Sequence, residues 1–156
     1  MTKEWREFEK LVARIERAVG QMGAIVASPD RVLDTVTGQM REVDASIRLK
    51  KDEPPIRVFE CRRRGKAQDV LWIEQLVTKR SDHGIPTTAV SSAGVSKAAV
   101  KKADHYGIEI RRITEVTQDE MVGWVKINQL VNTIFFPVVQ EVQLLELTVC
   151  GRRRGG

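Results

Sequence analysis

Along the first twenty residues the apolar positions Trp5, Phe8, Leu11, Val12, Ile15 and Val19 recur at spacings of three and four. That period predicts an amphipathic helix, ended by Gly20 and Gly23. Ala24-Ile25-Val26-Ala27 predicts a short strand closed by the turn signal Ser28-Pro29-Asp30. Val32 to Val36 is ambiguous and is open to continuing the same sheet. From Arg41 to Leu49 the period changes to two: Val43, Ala45 and Ile47 face one way, and Glu42, Asp44, Ser46 and Arg48 the other. A polar turn, Lys50 to Pro55, leads to a third strand over Ile56 to Arg62, and the three strands together read as an antiparallel meander.

The second half alternates between periods. A helix is expected from Gln68 to Asp82, with Val70, Ile73 and Val77 as its stripe, ended by Gly84-Ile85-Pro86. Thr87 to Ser91 carries no charge, as a buried parallel strand requires. A helix from Ser96 to Tyr106 stops at Gly107, and Ile108 to Ile113 is another strand. The order α-β-β-β-α-β-α-β predicts a mixed α/β sheet over residues 3–113. Residues 114–156 form a C-terminal extension. There Thr117-Gln118-Asp119-Glu120 has the capping-box spacing of a helix start, Val142 to Val149 suits a strand, and the whole reads as an added hairpin or a fragment of something longer.

Composition narrows the chemistry. A chain of 156 residues suits one compact domain. Lys and Arg number 26 against 21 Asp and Glu, a net charge of +5 that leans toward an anionic partner. Two cysteines, Cys61 and Cys150, exclude a disulfide framework and a multi-cysteine zinc cluster. The charged N-terminus lacks a signal peptide's apolar core. Leu130 to Cys150 is broken by Asn132, Pro137, Gln140, Glu141, Gln143 and Glu146, so no membrane span is expected and the chain reads as cytoplasmic. His83 and His105 are isolated, and neither a Walker loop nor a nucleophile elbow occurs.

One constellation carries chemistry. Asp44 lies on the polar face of the second strand, and Glu60 and Arg62, two apart on the third, project from a common face. Neighbouring strands lie about 4.8 Å apart, close enough for Asp44 and Glu60 to share a metal ion. Two carboxylates, waters and a substrate phosphate are what Mg²⁺ accepts. A cation at Arg62 suits charge developing on phosphorus. The same residues also suit solvated strand faces, with Glu60 paired to Arg62 or Arg57.

Glu9 within Phe8-Glu9-x-Leu11-Val12, Asp44 after Gly38-Gln39-Met40-Arg41-Glu42-Val43, Phe59-Glu60-Cys61-Arg62, and then Val70-x-Trp72-Ile73-Glu74-Gln75-Leu76 resemble the PD-(D/E)xK nuclease superfamily. Within it the chain is most similar to Mrr-like restriction endonuclease domains, a likeness shared by Ala89-Val90-Ser91-Ser92-Ala93-Gly94 and Ser96-Lys97-Ala98-Ala99. The resemblance implies a restriction-endonuclease-like fold, Mg²⁺-dependent hydrolysis of DNA with Mn²⁺ able to substitute, and a homodimer. It makes Asp44 and Glu60 metal ligands, joined by the backbone carbonyl of Cys61. Arg62 then takes the place of the usual catalytic Lys, Gln75 stands near the site, and Glu9 is a supporting acid. Arg62 departs from the pattern, because a guanidinium stays protonated and cannot serve as a general base. A metal-bound hydroxide working alone, Lys66 reaching in, and a domain that binds DNA without cutting it all stay open.

Basic residues form the second feature. Arg63, Arg64 and Lys66 follow the proposed site, Lys79 and Arg80 end the second helix, and Lys97, Lys101 and Lys102 lie on the third. Such groups suit phosphate contacts, and those at helix ends equally suit capping. Gln68, Gln75 and Lys79 share one helical stripe, with Glu74 the neighbouring alternative to Gln75. Two alternatives to the nuclease are a catalytically degenerate DNA-binding module and a protein-interaction domain built on the apolar C-terminal segment.

Overall fold

The computed structural model describes residues 3–62 and 64–129. Elements follow in chain order as α1 (Lys3–Gly20), β1 (Ile25–Ala27), β2 (Asp30–Leu33), β3 (Met40–Val43), β4 (Ala45–Arg48), β5 (Arg57–Arg62), α2 (Val70–His83), β6 (Thr87–Ser91), α3 (Lys97–Tyr106) and β7 (Glu109–Arg112). A further helix, α4, begins at residue 118 and is described to 129. Its start has the expected capping box: Thr117 Oγ1 accepts from the Glu120 N–H at 3.2 Å, and the Glu120 carboxylate accepts from the Thr117 N–H at 3.0 Å. The chain divides into two compact units, residues 1–125 and 126–156. Arg63, the Leu130 to Cys150 segment and the strand expected over Val142 to Val149 lie outside the described residues.

The first unit is a mixed α/β domain. Its five-stranded sheet has the order β1-β4-β5-β6-β7. β1, β4 and β5 pair antiparallel, and β5, β6 and β7 pair parallel. One face packs Ala45, Ile47, Phe59 and Val90 against the α1 stripe of Phe8, Leu11, Ile15 and Val19, joined by Met121 and Val125. The other packs Ala89 against Trp72, Ile73 and Leu76 of α2 and Ala99 and Ala103 of α3. Small residues on α3 let that helix lie close to the sheet. Asp69 caps α2 by accepting from the Trp72 N–H, and Ser96 caps α3 by accepting from the Ala99 N–H. No helix among the described residues is long and apolar enough to cross a membrane.

The strand expected over Arg41 to Leu49 is two strands. Val43 packs with Val32, Val58 and Ile85 on the α2 side, while Ala45 and Ile47 enter the core on the α1 side. Side chains alternate faces along a strand, so Val43 and Ala45 cannot reach opposite sides without a break. The break falls at Asp44. N-terminal to it, β3 pairs with β2 in a separate two-stranded sheet, so the ambiguous Val32 segment does not extend the main one.

Asp30 ties this hairpin to the main sheet. Its Oδ2 accepts from Ser46 Oγ at 2.5 Å and from Arg48 Nε and Nη2 at 3.0 and 2.7 Å. Burial acts to raise the Asp30 carboxyl, but the hydrogen bonds from Ser46 and Arg48 hold it below the usual carboxylate value. Because the folded-state value is depressed, its stabilisation is complete above the unfolded value and is lost as pH falls through the folded one. Asp30→Asn is expected to cost about 1–3 kcal/mol at pH 7. The deficit should shrink below about pH 4. Urea unfolding of both proteins at several pH values checks this, and a pH-independent difference would remove the Asp30–Arg48 pair as the cause.

Candidate functional site

The β4–β5 ladder ends at the pair Ala45 and Phe59. β5 continues through Glu60, Cys61 and Arg62 with β6 still alongside, so its β4 side has lost its partner strand. Asp44, where the chain turns away, supplies a replacement: its Oδ2 accepts from the Cys61 N–H at 2.7 Å. Ser28 Oγ donates to the Asp44 carbonyl at 2.8 Å and fixes the turn. In a strand the carbonyl of a residue points to the same side as its N–H, so the Cys61 carbonyl faces this opening too.

Glu60 projects from the α2 face of β5 and is 9% exposed. Lys79 Nζ, from α2, donates to Glu60 Oε1 at 2.5 Å. Burial pushes the Glu60 carboxyl above its ordinary value, Lys79 pulls it down, and the charge of Asp44 pushes it up again. The net direction is upward, so the fold loses stability as pH rises through the window between the unfolded and folded values. Glu60 therefore feels the charge of Asp44 across the opening.

Arg62 lies one pleat further on. Its Nη2 donates to Gln75 Oε1 at 3.1 Å, and its guanidinium lies 5.6 Å from the Trp72 ring centroid. Glu74 turns instead toward Lys102, at 3.1 Å. The structure thus brings together Asp44, Glu60, Cys61, Arg62 and Gln75. Lys79, expected as a phosphate contact on the helical stripe it shares with Gln75, is instead turned onto Glu60. Glu9 stands apart on α1, where its Oε1 accepts from Trp5 Nε1. Arg64 and Lys66 are exposed in the loop after β5, and Lys97 opens α3.

Among the described residues no three His, Cys, Asp or Glu side chains are grouped to hold a metal. Two carboxylates and a strand carbonyl fit Mg²⁺ of the kind whose shell is completed by water and substrate phosphate. The charge effect of Asp44 on Glu60 is what a cation between them would relieve.

No protein-family model matches the chain, and no curated protein does. Among solved structures, a protein of unknown function called AF1548 matches at 14% identity and a TM-score of 0.52, over 74% of this chain and 64% of that one. Protein VC1899 from Vibrio cholerae matches at 14% identity and a TM-score of 0.53, over 82% of this chain and 33% of that one. The DNA modification-dependent restriction endonuclease AspBHI matches at 14% identity and a TM-score of 0.37, over 80% and 36%. The chain spans less than two thirds of each of these proteins. The first two likenesses show a shared fold.

Two substitutions should move the Glu60 carboxyl in opposite directions. Asp44→Asn removes a repelling charge and is expected to lower its pKa. Lys79→Met removes the attracting cation and is expected to raise it. Carbon-13 NMR titration of the Glu60 carboxyl reads both, and a value unmoved by either change would mean that the three groups do not share a site.

Proposed function

We propose that the chain is a Mg²⁺-dependent DNA endonuclease. The observation that supports this best is the break at Asp44, which opens the β4 side of β5 and sets a carboxylate against the Cys61 N–H, next to the buried Glu60. Charged groups on a buried, split strand serve stability poorly and suit a site where a cation and a phosphate meet.

In this reading Asp44, Glu60 and the Cys61 carbonyl hold the metal. Held there, Mg²⁺ would supply Lewis acidity toward the phosphate and the attacking water. Arg62 donates to the scissile phosphate, where its permanent charge opposes the charge developing on oxygen. Gln75 and the Trp72 ring hold the guanidinium in place. Lys79 favours the ionised form of Glu60. Water adds to phosphorus as the ester P–O bond breaks; the water releases a proton to solvent and the departing oxygen takes one up, leaving a phosphomonoester and an alcohol. The homodimer belongs to the proposal through the sequence resemblance.

A second reading keeps DNA binding without cleavage. It is favoured by Lys79 already compensating Glu60 and by a guanidinium standing where a titratable amine is usual. Cleavage of supercoiled plasmid with Mg²⁺ or Mn²⁺ separates the two. Asp44→Asn and Glu60→Gln, whose amide oxygens can still accept from the Cys61 N–H and from Lys79, are each expected to slow cutting by at least about 10²-fold while the fold is kept. Arg62→Lys should retain more activity than Arg62→Ala. Salt-sensitive DNA binding with no metal-dependent cutting would select the second reading.

A further inference from the structure

The parallel register carries a row of positive charge beyond the site. Arg62 pairs with Ser91, and Ser91 pairs with Arg112, so the last residues of β5, β6 and β7 stand abreast. Paired residues project from a common face, and this is the face that also bears Glu60. With neighbouring strands about 4.8 Å apart, Arg62 and Arg112 are separated by roughly 10 Å. At an axial rise of about 3.4 Å per nucleotide of one strand, that span covers about three phosphates.

Arg112 is held ready for an anion. Its β7 neighbour Arg111 pairs with Glu109 and Glu120, and Arg57 of β5 pairs with Glu109. Arg112 is exposed, and no acid among the described residues forms an ion pair with it. Its guanidinium rests on Gly94, where a Cβ would come within 3.1 Å of Nη2 and where φ is +80°. Ser91 Oγ donates to the Gly94 carbonyl at 2.9 Å and fixes that platform from inside the fold.

The rim is continuous between the two arginines. Gly94 accepts from the Gln68 N–H at 3.0 Å, Gln68 accepts from the Ser96 N–H at 2.8 Å, and Ser92 Oγ donates to the Arg64 carbonyl at 2.9 Å. The loops after β5 and β6 are thereby joined edge to edge. α2 and α3 each begin from these loops, so the positive ends of both helix dipoles open on the same edge.

We infer that the sugar-phosphate backbone of duplex DNA runs along the carboxyl edge of the parallel strands, from the Asp44–Glu60 site past Arg62 to Arg112, with Arg112 a phosphate contact on the far strand. The inference rests on the DNA reading above and names the path of the substrate across this face.

The test is equilibrium binding of the full chain to a short DNA duplex in EDTA, where no cleavage intervenes, from 50 to 200 mM salt. Arg112→Gln is expected to weaken binding and to reduce the slope of log K against log salt by about 0.9, the value for one lost phosphate contact. Arg112→Lys should keep the slope. Lys51→Gln, in the turn at the opposite end of β5, should leave it unchanged. If the parent chain binds with a steep slope and Arg112→Gln matches it, the path is wrong and the DNA reading stands. If the parent chain does not bind duplex DNA, the DNA reading falls and takes the path with it. An Arg112→Gln effect confined to an RNA duplex would also overturn the assignment.

Discussion

A main-chain N–H inside a protein needs an acceptor, and in the middle of a sheet the neighbouring strand normally provides it. In this fold β4 stops pairing with β5 while β5 continues, which strands the Cys61 N–H at the centre of the five-stranded sheet. The Asp44 carboxylate takes over that duty at 2.7 Å. Much of the architecture follows from the substitution. The chain can leave the main sheet there and form the β2–β3 hairpin. Val43 and Ala45 can enter different cores. A negative charge is fixed at the edge of a buried strand.

That charge would be expensive alone, and its surroundings show how the cost is met. Glu60 is buried beside it, where the Asp44 charge adds to burial in disfavouring the ionised form of Glu60, and α2 answers with the Lys79 ammonium. A well-packed apolar pair of similar volume in place of Glu60 and Lys79 would hold the strand about as well. Ionisable groups kept in a position where they burden the fold are a physical signature of a site that handles charge.

Arginine and lysine divide the work along the edge. Arg62 and Arg112 have planar guanidiniums seated on a Trp72 ring and on the Gly94 backbone, surfaces that order them without neutralising them. Lys79 is a compact point charge and can approach a single carboxylate oxygen closely. The cations that are paired, such as Arg48, Arg57 and Arg111, knit elements of the fold together. Arg62 and Arg112 are aligned by strand register instead.

Local pattern was enough for much of this. The period of three and four in α1, the uncharged run of β6 and the capping box at Thr117 are properties of neighbouring residues, and each element formed where its pattern lies. The order of elements along the chain was legible for the same reason, and Asp44, Glu60, Arg62 and Gln75 could be named from the sequence as candidates for one site. What the sequence could not show was the break at Asp44. The alternation from Arg41 to Leu49 is unbroken as a pattern, and only the competition of two cores, one claiming Val43 and the other Ala45, divides it. Lys79 against Glu60, Glu74 turned to Lys102, and Arg112 abreast of Arg62 were likewise decided by tertiary structure. Helix phase and strand register are set by packing between segments far apart in the chain, and no local period encodes them.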